Sequence, residues 1–237
     1  MKRIPGVLLG CMVTVVALGA SSRSATAQVG YPPTQSPFLD VDQTQEITPL
    51  FGYFSAKRDP AKVAPQGGLL AGVQYEWRAS GPLHLGTDFL FVNSTRTPLD
   101  PSQAPASRSL GSKSEPLYAA DAFLAVSLTG ERSWHHIMPM VNLGVGLISD
   151  FKGPDVGGFK MGTRFALPWG AGIRWLPGGG HIQLRGDVRD WMYTVVYPES
   201  YYVSSTADPA IFTSRVTRSR WTNNFAMTVG VSYLFSR

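Results

Sequence analysis

The side chains best suited to chemistry are few: four His, one Cys and 16 Asp or Glu in 237 residues. A serine nucleophile needs a histidine base within hydrogen-bond reach. On one face of a strand that means a spacing of two. His84 is followed two residues on by Gly86, His136 by Met138 and His181 by Gln183, so no such pair exists. A Ser–His pair would have to join two strands, with Ser127 and Ser232 as the candidate hydroxyls. His135 and His136 are adjacent, and on a strand they would point to opposite faces, a poor geometry for a shared metal. "GPDVGG" and "LPGGG" carry turn glycines, and no helix follows to make them phosphate loops. The expectation is no catalytic residue, no metal and no cofactor. What does recur is charge at every second position. In "HIQLRGDVR", Arg185, Asp187 and Arg189 share one face with His181 and Gln183.

That spacing belongs to strands, and the rest of the chain repeats it. In "LLAGVQYEWRA", Leu69, Ala71, Val73, Tyr75 and Trp77 oppose Gly72, Gln74, Glu76 and Arg78. In the last such run, Phe225, Met227, Val229, Val231, Tyr233 and Phe235 oppose Asn224, Ala226, Thr228, Gly230 and Ser232. Each strand therefore has one apolar face and one polar or small face. Eight runs of this kind are expected, at roughly 46–56, 69–79, 82–94, 117–128, 135–149, 163–175, 181–195 and 221–235; tilted strands of about 9–11 residues cross a bilayer. Thr87 interrupts the apolar face of the third run. Asp190 and Trp191 break the phase of the seventh, which suggests a bulge or the strand leaving the membrane.

The connections alternate. "SG" at 80–81, "TGERSW" at 129–134 and "LPGGG" at 176–180 are short, while those near 57–68, 95–116, 150–162 and 196–220 are long and polar. The loop "TRTPLDPSQAPASRSLGSKSEP" is expected to be mobile. Trp77, Trp134, Trp175, Tyr233 and Phe235 cluster at the short-turn end; Phe91, Phe165, Trp191, Tyr193 and Trp221 cluster at the other. Two aromatic girdles, tight turns on one side and longer loops on the other are the pattern of an outer-membrane barrel. The fold class expected is all-β, an eight-stranded antiparallel up-and-down transmembrane barrel.

The N-terminus is consistent with export. "MKR" precedes the apolar run "IPGVLLGCMVTVVALGA", and Ala25-Thr26-Ala27 offers a cleavage signal before Gln28. Residues 1–27 read as a signal peptide, 28–45 as a flexible periplasmic lead-in and 46–237 as the barrel. Cys11 is the sole cysteine and lies inside the signal, so the mature chain has no disulfide. The formal charge of +5 loses Lys2, Arg3 and Arg23 with it and falls to +2, which gives no reason to expect a nucleic-acid partner.

The chain ends on "TVGVSYLF" with only Ser236 and Arg237 after it. Thr228, Gly230, Tyr233 and Phe235 fill the polar, Gly, aromatic and aromatic positions of the C-terminal assembly signal of outer-membrane barrels. The family pattern ends on the last aromatic; here two residues follow. From Glu46 to Phe235 the chain resembles the small OmpA/OmpX-type outer-membrane β-barrel family. The resemblance implies a monomer in the outer membrane of a Gram-negative bacterium, inserted by the barrel assembly machinery and in contact with outer-membrane lipid.

In this register Glu46, Glu76, Arg78, Asp88, Asp121, Arg174, Arg185, Asp187 and Arg189 point inward. Side chains just fill the interior of an eight-stranded barrel, and buried charges are costly unless paired. The expectation is a charged network that closes the lumen, with Arg185 and Arg189 bound to inward acids. Arg215, Arg218 and Arg220 lie at the outer rim, with Lys57, Arg58, Lys62, Lys152, Lys160 and Arg164 in or beside other long loops. All could meet anionic lipopolysaccharide. The role expected is structural or interaction-based at the cell envelope, through the external loops, without enzymatic activity. The alternatives are a narrow, porin-like channel or carrier for small solutes and, behind it, a lipid A-modifying enzyme.

Overall fold

The computed structural model describes residues 36–178, 180–204, 209–212 and 215–236. The expected signal peptide and the expected lead-in up to residue 35 lie outside the described residues. The long strands are β1 (Gln45–Ala56), β2 (Gly68–Ser80), β3 (Leu83–Asn93), β4 (Leu117–Ser127), β5 (Ile137–Ser149), β6 (Arg164–Trp175), β7 (Ile182–Val196) and β8 (Asn224–Phe235). Each pairs antiparallel with its successor, and β8 returns to β1 through Tyr233↔Ile47 and Asn224↔Ala56. The sheet closes on itself, so no long strand is left with an unpaired edge. This is an eight-stranded antiparallel up-and-down barrel.

Burial follows the alternation, inverted relative to a water-soluble protein. On β7, Gln183, Arg185, Asp187 and Arg189 are buried while Ile182, Leu184 and Val188 are exposed. On β8, Phe225, Met227, Val229, Val231 and Tyr233 face outward and are exposed. Thr87 fits because its Oγ1 donates to the Asp121 carbonyl at 2.7 Å, so its hydroxyl is satisfied inside the wall. Outward aromatics are spread more widely than two girdles, since Phe51, Phe89 and Trp169 sit at mid-strand.

The seventh strand departs from expectation. Trp191 and Tyr193 do not belong to an outer girdle: both continue the inward phase of Gln183 and Arg189, and each is 1% exposed. No bulge occurs, for Trp169↔Asp190 and Pro168↔Trp191 keep the ladder in register. The irregularity falls on the partner, where residues 219–222 form a separate short strand before β8. Asp190 fills that break by accepting hydrogen bonds from the Asn224 backbone N–H at 2.8 Å and from the Asn223 amide.

The β4–β5 connection is also more than a turn. Arg132–Trp134 pairs with Phe38–Asp40, so this part of the lead-in is an ordered strand rather than a flexible tail. The His135-His136 pair forms the tight turn between Trp134 and Ile137, with φ of 48° and 66°. Positive φ at both central residues marks a type I′ hairpin turn, in which adjacent side chains do not alternate as on a strand.

The interior has three levels. At the end bearing the short turns, Phe123, Met138, Met140, Leu176 and Leu234 form a small apolar floor that Val41 packs against. Charged and polar side chains occupy the middle. Towards the long loops, Leu50, Phe54, Leu90, Trp191 and Tyr193 line an apolar space that loop residues Val63, Phe159, Met161, Tyr197, Tyr201 and Phe212 complete.

Closure demands close approach along the β8–β1 seam. A Cβ on Gly52, opposite Thr228, would fall 1.9 Å from the Met227 carbonyl oxygen. Gly52→Ala is therefore expected to lower the yield of folded, heat-modifiable barrel. Gly153→Ala adds a methyl to open space and should leave it unchanged. Equal yields, read by electrophoretic mobility before and after boiling, would refute this account of the seam.

Candidate functional site

The middle layer is built from like charges set side by side. Arg174 stands directly across from Arg185 on β6–β7, Glu46 from Glu76 on β1–β2, and Asp88 from Asp121 on β3–β4. Like charges directly opposite destabilise a strand pair. The barrel resolves this by bringing its walls together across the lumen. Arg185 Nη1 donates to Glu46 Oε1 at 2.7 Å and approaches Glu76 Oε2 at 3.4 Å. Its Nε and Nη2 grip both oxygens of Asp187, two residues on, at 2.8 and 3.1 Å. Arg174 pairs with Glu76 and lies 3.8 Å from Glu46 Oε2. Arg189 pairs with Asp88, lies 3.7 Å from Asp121, and sets its guanidinium 4.5 Å above the Phe123 ring.

Further polar side chains complete the layer. Gln183 donates to Glu46 Oε2 at 2.9 Å. Thr48 donates to Ser232 Oγ at 2.7 Å. His84 Nδ1 lies 2.9 Å from Glu76 Oε1. Eight of the nine charged residues singled out in the sequence are each no more than 6% exposed. Arg78 is the ninth and is placed elsewhere. It is half-buried at the turn end, where it donates to the Val41 carbonyl at 2.7 Å and so ties down the lead-in segment instead of binding an acid. Neither serine considered as a nucleophile meets a histidine among the described residues. Ser127 contacts Thr129, and Ser232 binds Thr48 and Gln183. Among the described residues no group of three or more His, Cys, Asp or Glu is placed to hold a metal ion.

The described residues of the long loops form a cap, and residues 95–116 have defined structure where mobility is expected from composition. Thr95–Arg96 pairs with Lys113–Ser114 inside that loop, and Leu99 bridges to Ser109. In each of the first three loops an Asp carboxylate accepts backbone N–H groups: Asp59 from Ala64 at 3.0 Å, Asp100 from Ser102 at 3.0 Å, and Asp150 and Asp155 from Gly162 and Phe159 at 3.0 and 2.9 Å. Contacts then join loop to loop. Arg96 bridges Asp155 at 2.7 Å and Glu115 at 3.4 Å, and Lys152 binds Glu115 at 2.9 Å. Tyr197 donates to Asp59 at 3.1 Å, and Ser200 to the Gly157 carbonyl at 2.6 Å. Burial, with the Asp59 carboxylate beside it, holds the Tyr197 phenol well above its ordinary range, so it stays a neutral donor. These aspartates escaped the sequence reading. Asp followed within a few residues by Pro, Ser or Gly, as in "RDPAK", "LDPSQ" and "SDFKG", is the turn chemistry that could have flagged them.

Arg215, Arg218 and Arg220 are exposed at the loop end, as are Lys57, Arg58 and Lys62. Thr228 and Gly230 lie on the inward face of β8 at the seam, whereas Tyr233 faces out and its ring is 6.3 Å from that of Phe235.

No protein-family model matches the chain. No curated protein matches it. Among solved structures the chain is similar to neisserial surface protein A, at 13% identity and a TM-score of 0.46, over 84% of this chain and 98% of that one. It is also similar to a major outer membrane protein from Thermus thermophilus, at 14% identity and a TM-score of 0.41, over 81% of this chain and 100% of that one.

Removing one member of a buried ion pair costs about 3–5 kcal/mol, because the partner is left charged and unpaired. Arg185→Ala is expected to destabilise the folded barrel by about that amount. Arg132→Ala, which removes the exposed pair with Asp40, should cost about 0–1 kcal/mol. Denaturant unfolding in detergent would measure both, and equal effects would show that the layer is not dry.

Proposed function

We propose that the chain is a monomeric outer-membrane β-barrel with a closed lumen, acting at the envelope as a structural or interaction protein through its external loops. The observation that carries this reading is the pairing of an apolar outward wall with a lumen filled at all three levels. Such a wall is stable in hydrocarbon, where a barrel satisfies every backbone group and leaves no edge. The loop cap lies outside, with the short turns and the residue 38–44 segment in the periplasm.

A channel would need a continuous polar path. Above the charge layer the path meets Phe54, Trp191 and Tyr193 and then Phe159, Tyr197 and Tyr201, which supports closure. The exposed cations Arg215, Arg218, Arg220, Lys57, Arg58 and Lys62 would face the anionic headgroups of lipopolysaccharide. Thr228, Gly230, Tyr233 and Phe235 would be read by the barrel assembly machinery, and Gly230 also serves the closed seam, where a Cβ would meet Thr48 Cγ2 at 2.6 Å. The reading assigns no cofactor and no catalytic group.

In planar bilayers the purified protein is expected to pass no steady current, and in cells it should fractionate with the outer membrane. A stable ohmic conductance of the wild-type protein would establish the channel in its place.

A further inference from the structure

The outward wall carries a trough near the loop end, across β2 to β5, with a volume of about 520 Å³. Small-molecule sites span about 300–1,000 Å³. Its floor is the sheet itself, where Ala71 and Ala120 present only methyl groups outward. Ala120 lies between Phe89 and Leu147 in the cross-strand row, so a methyl stands where its neighbours carry large side chains. Above it three rings form an arc, Phe91–Tyr118 at 5.4 Å and Tyr118–Phe151 at 5.6 Å between centroids.

The trough is apolar along its length and changes character only at the loop end. There the Ser149 and Thr163 hydroxyls meet at 3.0 Å. Lys152 follows Phe151 directly, with its side chain 47% exposed even though it binds Glu115. Lys160 runs past Gly162, next to Thr163; it is exposed and has no ion pair among the described residues.

An apolar slot of this shape capped by hydroxyls and ammonium groups matches an acyl chain below a phosphate. We propose that the trough holds one acyl chain of a phosphorylated glycolipid of the outer leaflet, with Lys152 and Lys160 at its phosphate. The inference rests on the membrane orientation given above. The slot opens on the wall facing lipid, at the end where the long loops meet the outer leaflet. It names a specific lipid site on the barrel wall, separate from the Arg215, Arg218 and Arg220 rim.

Native mass spectrometry of the folded protein released from detergent, with purified lipid A added, tests it. Wild-type protein should retain one lipid A molecule. Ala120→Phe fills the slot from the outward face and should cut retention at least about tenfold, which is about 1.4 kcal/mol. Ala122→Phe is the control: the same change on the same face of β4, two residues nearer the turn end and outside the trough, should retain lipid A as wild type does. Lys152→Gln with Lys160→Gln should weaken lipid A but not phosphatidylcholine. Heat-modifiability reports that each variant is folded, and Ala120→Leu replaces Ala120→Phe if the latter is not. No retention by wild type, equal retention by the two alanine variants, or phosphatidylglycerol held as strongly as lipid A would each overturn the proposal. Recovery of the wild-type protein outside the outer membrane would instead defeat the orientation on which it rests.

Discussion

Two acids side by side on one part of the wall meet two arginines side by side on another across the lumen of the closed barrel. Arg174 and Arg185 repel as strand neighbours, and so do Glu46 and Glu76. Asp187 on the same strand meets part of the Arg185 charge, and the rest is met where β6–β7 and β1–β2 approach across a narrow lumen, with Arg185 on Glu46 and Arg174 on Glu76. The layer thus opposes both an open sheet and a register slip, since a shift of one residue would turn these charges outward. Wide barrels could not bring these side chains together; eight strands set the span.

Apolar groups flank that layer on both sides. The loop cap covers it from one side and the Met138, Leu176 and Leu234 floor from the other. Arg78 is held to Val41 just outside it. The cap needs order of its own, supplied by buried aspartates that satisfy loop N–H groups and by the Arg96, Glu115 and Asp155 cluster. Charge lies inside, apolar side chains cover the outer wall, and apolar clusters lie above and below the charge layer. The alternating sequence is the economical way to write this arrangement, because each strand serves lumen and exterior at once.

Much of this was legible because period-two alternation fixes both strand and facing together. The inward position of Arg185, Asp187 and Arg189 follows from the exposed Ile182, Leu184 and Val188 between them. Trp191 and Tyr193 were misplaced because large aromatic rings near a strand end read as girdle residues, although simple continuation from Gln183 puts them inside. Asp190 looked like a break in phase, but it is the group that satisfies the backbone of Asn224 on the next strand. Which acid each arginine would take was not legible, since partners lie on strands distant in sequence. The loop fold was hidden for a related reason: composition gives a polar, Pro- and Ser-rich segment, while its order comes from carboxylates bound to backbone groups and from contacts between loops.

Whether the ion pairs are made in a dry lumen decides between a closed barrel and a channel. A double-mutant cycle on Arg189 and Asp88, followed by denaturant unfolding in detergent, measures their coupling directly. A buried pair predicts that either single variant is strongly destabilised and that the double variant recovers much of the loss, with a coupling of about 2–3 kcal/mol. A coupling near zero, at the roughly 0–1 kcal/mol of solvent-exposed pairs, would contradict the account and describe a water-filled lumen instead.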